Sequence, residues 1–549
     1  MDNKTISEIL KLTARLMELH GENEFKSRSY SNASFKLSRL DVPLAGMNPD
    51  DLEKVDGIGK SLAGKISLLI ETNRFEILEE LLAKTPKGVV EMMAIKGIGP
   101  KKVRELWIQL QIESVGELLY ACTENRLIGL KGFGLKTQDS IKKSIEYKRS
   151  VSGKFHFASV ENLALEKVKE LKKLYQTELV SLTGEMRRKC EIIEKVEILV
   201  ASQSENSYPP DERLSSQEPV EETDFPEDGK KKPAVPVQIF FCQPQEYYKQ
   251  LFISTASEKH LSSINLEGIM NPGSEEEIYS KNGLPFIIPE MREGIFEFEW
   301  VKKNSGGDIL EMKDLKGILH NHSTWSDGTH TLKEMAGYCK ELGYEYLGIC
   351  DHSKSAFYAN GLSIERVVQQ QMEIDALNKA MAPFKIFKGI ESDILNDGSL
   401  DYPEEILKSF DFIVASVHSN LKMNEEKATA RVLKAIENPY TTILGHPTGR
   451  LLLSREGYPL DHKKIIDACA ANKVVIELNA HPYRLDIDWR WIQYCLSKDV
   501  MISLNPDAHA REGYHDMYFG VCVARKGGLT RKMTFNAKGL NEMEEYFCE

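Results

Sequence analysis

No two of the nine cysteines in this 549-residue sequence are spaced as Cys-x-x-Cys, and their number is odd. No cysteine framework is therefore expected, and scattered thiols of this kind fit reduced, buried residues in a cytoplasm. Apolar runs are also short, and none approaches the roughly 18 to 20 residues needed to span a membrane. The opening MDNKTISEIL lacks the charged and apolar regions of a signal peptide. No short-period repeat covers the chain, which argues against a solenoid.

What is present is enough for several cores. The hydrophobic fraction is 41% over 549 residues, which suits three or four domains of ordinary size. The net charge of −12 is unevenly spread. Residues 1–150 hold 24 Lys+Arg against 21 Asp+Glu, and residues 101–150 hold 10 against 6. An acidic total therefore says little about what the front of the chain binds.

Residues 1–150 carry leucine-rich amphipathic periodicity broken by glycines, which predicts helices. Residues 153–303 mix helical stretches with the β-rich runs VEILVAS and VPVQIFF. Between those runs, at about 203–233, lies a polar, Pro-containing segment without apolar period, expected as a disordered insertion. SGGD at 305–308 suits a linker, and from 312 the pattern changes to alternating strands and helices.

Seven strand-like runs in that last part end on residues that bind metals or phosphates. They read KGILHNH (His320, His322), YLGICDH (Asp351, His352), KIFKGIESD (Glu391, Asp393), FIVASVH (His418), TTILGHPTGR (His446, Arg450), VVIELNA (Glu477, Asn479) and MISLNPDAH (Asp507, His509). Repeated strand-helix units predict a parallel α/β sheet or barrel with its site at the carboxyl ends of the strands. Ten of the 13 histidines fall here. Imidazoles and carboxylates without thiolates suit Zn, Mn or Fe(II). Arg450 has two candidate roles, a phosphate clamp or a structural salt bridge.

Three front segments share one frame: VDGIGKSLAGKI (55–66), IKGIGPKKVREL (95–106) and LKGFGLKTQDSI (130–141). Gly57 and Gly59, Gly97 and Gly99, and Gly132 and Gly134 would each make a tight turn between helices, with the apolar residue between them pinning it to the core. The N–H groups opening the second helix would face a phosphate, with Lys60, Lys65, Lys101, Lys102, Lys131 and Lys136 nearby. These segments resemble helix-hairpin-helix motifs, which grip DNA backbone without reading sequence.

The set HNHSTWSDG, CDHS, GIESD, SVHS, GHPTGR and NPDAH resembles the polymerase-and-histidinol-phosphatase (PHP) domain, most closely the one fused to bacterial X-family DNA polymerases. The resemblance implies a distorted (β/α)7 barrel over 312–549 with three divalent ions, Zn²⁺ or Mn²⁺ or Fe²⁺. It assigns His320, His322, Glu391 and Asp507 to one ion. Glu391, His418 and His446 would hold a second, and Asp327, His352 and His509 a third. Asp507, His352 and Glu391 would be central to catalysis. Pro506 and the extra imidazole His481 depart from the pattern without replacing a ligand.

The resemblance extends to nearly the whole chain. ELHGENEFKSRSYSNAS looks like the start of an X-family polymerase, SLTGEMRRKCEIIEKVEILVAS like its palm, and YSKNGLPFIIPEMREG like its terminal segment. It implies a helical lyase-like domain at 1–85, a fingers-like domain at 86–152, and an α+β nucleotidyltransferase-like palm and thumb at 153–303. The palm needs three aspartates for two Mg²⁺, but the matching positions hold Lys195, Glu197 and Gln238. Gly184-Glu185 replaces the usual Gly-Ser. The palm is therefore expected to lack polymerase chemistry, unless a register shift brings in Glu191 or Glu194. Lys65 matches a Schiff-base lysine of deoxyribose-phosphate lyases, although Ser61 stands at the second basic position; a phosphate contact is its other role.

The expected function is metal-dependent hydrolysis at DNA 3′ ends: exonuclease, 3′-phosphatase or abasic-site cleavage in repair, by a cytoplasmic monomer acting on gapped or 3′-ended DNA. The alternatives are a small-molecule phosphatase of the histidinol-phosphate type and a non-catalytic DNA-binding scaffold.

Overall fold

The leucine periodicity of the front segment folds as expected, into helices. The computed structural model describes residues 3–37, 44, 47–55, 57–95, 97–150, 153–202, 235–304 and 308–548. The expected insertion at 203–233 and most of the SGGD linker lie outside these. The chain divides into two units, Met1–Thr123 with Leu127–Ile145, and Glu124–Arg126 with Glu146–Glu549.

The first unit packs Asn3–His20 against Glu24–Leu37 through Ile6, Leu10, Ala33 and Leu37. Its three hairpins share one backbone. Gly57, Gly97 and Gly132 have φ of 89°, 90° and 88°, where a Cβ would be strained. The next residue in each case, Ile58, Ile98 or Phe133, is buried and donates its N–H three residues back, to Val55, Ile95 or Leu130. Gly59 and Gly99 then stand in extended conformation at the N-termini of Lys60–Thr72 and Pro100–Leu110, with no side chain capping either helix.

The second unit holds two sheet systems. The hydrophobic runs expected as strands form β4 (Val196–Ala201) and β5 (Val237–Cys242), which pair in parallel. On the other edge of β4 lies antiparallel β2 (Val180–Thr183). A two-stranded pair, β1 (Phe155–His156) with β3 (Ile192–Ile193), accompanies them. The helix Phe157–Tyr175 covers the sheet with Val160, Ala164 and Leu171.

All seven expected strand-end runs form strands of one parallel sheet: β6 (Gly317–Ile318), β7 (Tyr346–Ile349), β8 (Lys385–Asp393), β9 (Phe412–Ser416), β10 (Ile443–Leu444), β11 (Val475–Asn479) and β12 (Ile502–Asn505). They lie in sequence order, as right-handed strand-helix-strand crossovers produce. The two edges meet in a nearly closed barrel. His322 N–H donates to Ala508 O (2.8 Å) and Asp507 N–H to His320 O (3.1 Å). Lower in the seam the buried amide of Asn536 completes the ladder. Its Nδ2 donates to Gly317 O on β6 and Leu504 O on β12, and its Oδ1 accepts from Leu504 N–H.

The barrel interior is filled at the amino ends of the strands by Tyr346, Phe387 and Phe412. Gly348 and Gly389 leave room for the Phe412 ring, which a Cβ at either position would meet at 2.4 Å. Phe547, from the helix Leu540–Cys548, meets Phe387 edge-on and stacks on Phe412, with centroids 4.9 and 5.3 Å away. With that end plugged, the polar strand ends collect at the other.

Candidate metal centre

Every one of the nine expected ligands lies at or just past the carboxyl end of a strand. His320, His322 and Asp327 follow β6, His352 follows β7, Glu391 is on β8, His418 follows β9, His446 follows β10, and Asp507 and His509 follow β12. Three groups have donor atoms within 4.8 Å of one another: His320, His322, Glu391 and Asp507; His352, Glu391 and His418; and His322, Asp327, His352 and His509. The first group coincides with the expected set. In the second, His352 stands with Glu391 and His418, while His446 Nε2 reaches Glu391 Oε1 at 2.9 Å from the far side. In the third, His322 joins the expected trio, so it faces two groups.

The donor set fits divalent cations. Six of the nine present a buried atom without a hydrogen-bond partner: His320 Nε2, His322 Nδ1, Asp327 Oδ2, His352 Nδ1, Glu391 Oε2 and His446 Nδ1. Burying such atoms unpaired is costly, and a cation satisfies several together. Two site residues also occupy positive φ, His446 at 22° and Asp507 at 53°. Non-glycine residues are held there where the surroundings dictate the side-chain direction.

A second ring of carboxylates orients the imidazoles. Glu477, fully buried on β11, accepts from His320 Nδ1 (2.6 Å), from His446 N–H and from the amides of Asn479 and Asn505. Asp393 accepts from His418 Nδ1 at 2.5 Å, and Ser355 Oγ donates to Asp393. Glu124 accepts from His509 Nδ1 at 2.5 Å and contacts His481 Nε2 at 3.0 Å. Holding Nδ1–H in this way leaves Nε2 as the ligand atom. Asp351 accepts from Ser323, Ser326 and Gln370 and so fixes the loop that carries His322 and Asp327.

Charge is distributed accordingly. Burial and the neighbouring His509 and His352 push His322 down to about 4. Burial also opposes charge on His418, yet Glu391 and Asp393 raise it to about 10, so a cation held at Nε2 would displace that proton. Glu391 is held well below the usual carboxylate range because His418, His320 and His352 outweigh its burial. Cys350 is no nucleophile: burial drives its thiol well up, and it donates to Leu319 O.

The guanidinium of Arg450 is held by Arg484 O, Leu485 O and Asp488 Oδ2, the last at 2.6 Å, a geometry that matches the salt bridge of its two candidate roles. A cation beside the site is Arg484, whose Nε lies 3.8 Å from Asp507 Oδ2. The extra imidazole His481 faces Glu124 and stands in none of the three groups.

Away from the barrel, Lys195 Nζ lies 2.8 Å from Glu197 Oε1 and donates to Gln238 Oε1 at 2.7 Å. Glu197 and Gln238 are direct partners in the β4–β5 register. All three positions matching the palm carboxylates thus meet in one closed contact. In the first unit, Lys65 Nζ donates to Tyr30 Oη at 3.0 Å, Lys101 pairs with Glu24, and Lys102 lies over the Phe133 ring.

Comparison with known families agrees with this architecture. A helix-hairpin-helix domain matches residues 1–75, a SAM-like helix-hairpin-helix tandem residues 89–146, and a PHP domain residues 319–481. A probable phosphatase of Acetivibrio thermocellus is 31% identical over 171 residues, 30% of this chain and 65% of its own length. A second probable phosphatase, from Clostridium novyi, is 26% identical over 206 residues, 35% of this chain and 78% of its own. The DNA polymerase/3′-5′ exonuclease PolX of Bacillus subtilis is 32% identical over 573 aligned positions, covering 100% of this chain and 99% of its own length. With hairpins in front, a palm sheet between and a PHP barrel behind, the chain belongs to the PolX family of X-family polymerases with a C-terminal PHP domain.

Proposed function

We propose that this chain hydrolyses phosphate esters at DNA 3′ ends in a divalent-metal-dependent reaction, with the hairpins holding the DNA and the palm contributing no nucleotidyl transfer. The observation that carries the reading is the nine-residue donor set, with six buried unpartnered atoms, on one chain with three identically built hairpins. Bound ions would activate a water at neutral pH and neutralise charge on the phosphoryl oxygens.

The chain's own groups prepare that chemistry. Glu477 and Asp393 fix the tautomers of His320 and His418. Glu391 stays ionised at the centre of the set. Arg484 keeps a positive charge beside Asp507, where an anionic substrate would approach. The extended Gly59 and Gly99 hold uncapped helix starts open to a phosphate. The 32% identity to an enzyme named as a 3′-5′ exonuclease supports the 3′ end as substrate. The likeness to probable phosphatases favours a second reading, a small-molecule phosphatase, for the barrel alone.

The test is 3′-labelled gapped DNA with Mn²⁺, followed by a chelator, beside a small phosphomonoester. Label release that the chelator stops, and that Asp507→Ala and His352→Ala abolish without loss of DNA binding, is the expected result. Cleavage by both variants at the wild-type rate would overturn the metal assignment, and turnover of the small ester alone would favour the second reading.

A further inference from the structure

The loop after β7 leaves His352 and returns to it, since Leu362 N–H donates to His352 O at 2.8 Å. It is pinned throughout. Ala356 N–H reaches Ser353 O, Phe357 N–H reaches Ser355 O, and Gly361 N–H reaches Ala356 O. Ser355 Oγ and N–H are taken by Asp393 and Asp401. Its small residues face inward: Ala356, Ala359 and Leu362 are buried. Tyr358 also turns in, its ring centroid 6.1 Å from that of His352. Phe357 does the opposite. At 88% exposure it is the most exposed large apolar side chain among the described residues.

A single exposed apolar residue is ordinary on a protein surface. Phe357 is distinguished by its place, on a braced loop that begins at the candidate ligand His352, one residue from a ring that lies beside that ligand. A flat π-face there matches a nucleobase, because base-on-aromatic stacking tolerates any sequence.

We propose that Phe357 is the platform on which the terminal, unpaired base of a DNA 3′ end stacks while its phosphate enters the metal centre. The proposal rests on the 3′-end reading above. It explains how the barrel would select a nucleotide terminus without reading its sequence, and it predicts a preference for frayed or single-stranded ends.

The test uses the full chain carrying Asp507→Ala, Mn²⁺, and a single-stranded oligonucleotide ending in 3′-terminal 2-aminopurine. Binding should quench the fluorescent base. Adding Phe357→Ala should remove the quenching, and Phe357→Tyr should restore it. In the active chain, Phe357→Ala should raise KM for this end at least about fivefold, the low end for one lost stack. An oligonucleotide lacking its terminal base should raise the wild-type KM equally, and the two changes together should add nothing. Additive penalties, or quenching that survives Phe357→Ala, would overturn the stack. Phe357-dependent quenching with no shortening of the end by the wild-type chain would sink the 3′-end reading and leave the stacking site standing.

Discussion

At the residue scale, the carboxylates behind the histidines matter as much as the ligands. Glu477 accepts four hydrogen bonds, one of them from His320 Nδ1. Glu477→Gln keeps the shape but presents a donor or a weaker acceptor to that nitrogen, so His320 loses its fixed tautomer. We expect the Mn²⁺ concentration for half-maximal activity to rise about 10- to 100-fold, the usual effect of losing such a partner. Titrating activity against free Mn²⁺ checks this, and an unchanged midpoint would refute the role. The hairpin glycines separate fold from contact. Gly97 has φ of 90°, so Gly97→Val strains the turn itself. Gly99 has φ of −87° and nothing within 4 Å of a Cβ. Gly99→Val should therefore leave the melting temperature nearly unchanged while weakening DNA binding in a salt-dependent assay. Wild-type DNA affinity in both variants would count against the hairpins as the grip.

At the element scale, β4 and β5 carry the three positions that the resemblance matches to the metal-binding carboxylates of a palm. Lys195 places an ammonium between Glu197 and Gln238, in the position where two cations would have to sit. Each 1.36 kcal/mol of lost charge stabilisation is about tenfold in rate, and metal catalysis of phosphoryl transfer supplies several kcal/mol. We expect no primer extension with Mg²⁺ or Mn²⁺ on gapped template. The assay uses Asp507→Ala, so that hydrolysis cannot mask synthesis, and resolves products to single nucleotides. Template-directed extension would mean that other carboxylates, such as Glu191 or Glu194, have rebuilt the site. The same scale shows what the sequence made legible. The seven runs were readable because a strand buried on both faces is continuously apolar and its chemistry begins where the run stops. The partners of those ends were not. Glu477 meets His320 across 157 residues and Arg484 meets Asp507 across 23, and pairings of that kind follow from sheet order, which no local spacing encodes. Arg450 kept two candidate roles for the same reason: its carboxylate, Asp488, arrives from another loop.

At the scale of the whole molecule, the second unit is clamped by a buried lysine. Lys526, 2% exposed, donates to Arg188 O, Glu290 O and Glu293 beneath the Trp489 ring, and so ties the palm and thumb to the barrel. Removing one partner of a buried ion pair costs about 3–5 kcal/mol. Glu293 also pairs with Arg188 Nε at 3.0 Å, so Lys526→Met should lower the melting temperature by less than that full cost implies, and a change within error would mean that Arg188 alone satisfies Glu293.

The seam between β6 and β12 gives the metal centre a second consequence. A barrel is a ring, and this one has a clasp. His320 and His322 follow the first strand and Asp507 follows the last, yet all three face one group of donor atoms. Other rungs of the clasp include the amide of Asn536, the Leu319 N–H donating to Asn505 Oδ1, and backbone hydrogen bonds. An ion shared by these residues would act as a rivet across the joint, so its loss should be felt first in the hoop rather than evenly through the wall. Chelation should speed hydrogen exchange in 317–322 and 502–509 before it does so in β8 and β9. Asn536→Ala should exaggerate the difference, and uniform exchange along all seven strands would show that the ring closes without its rivet.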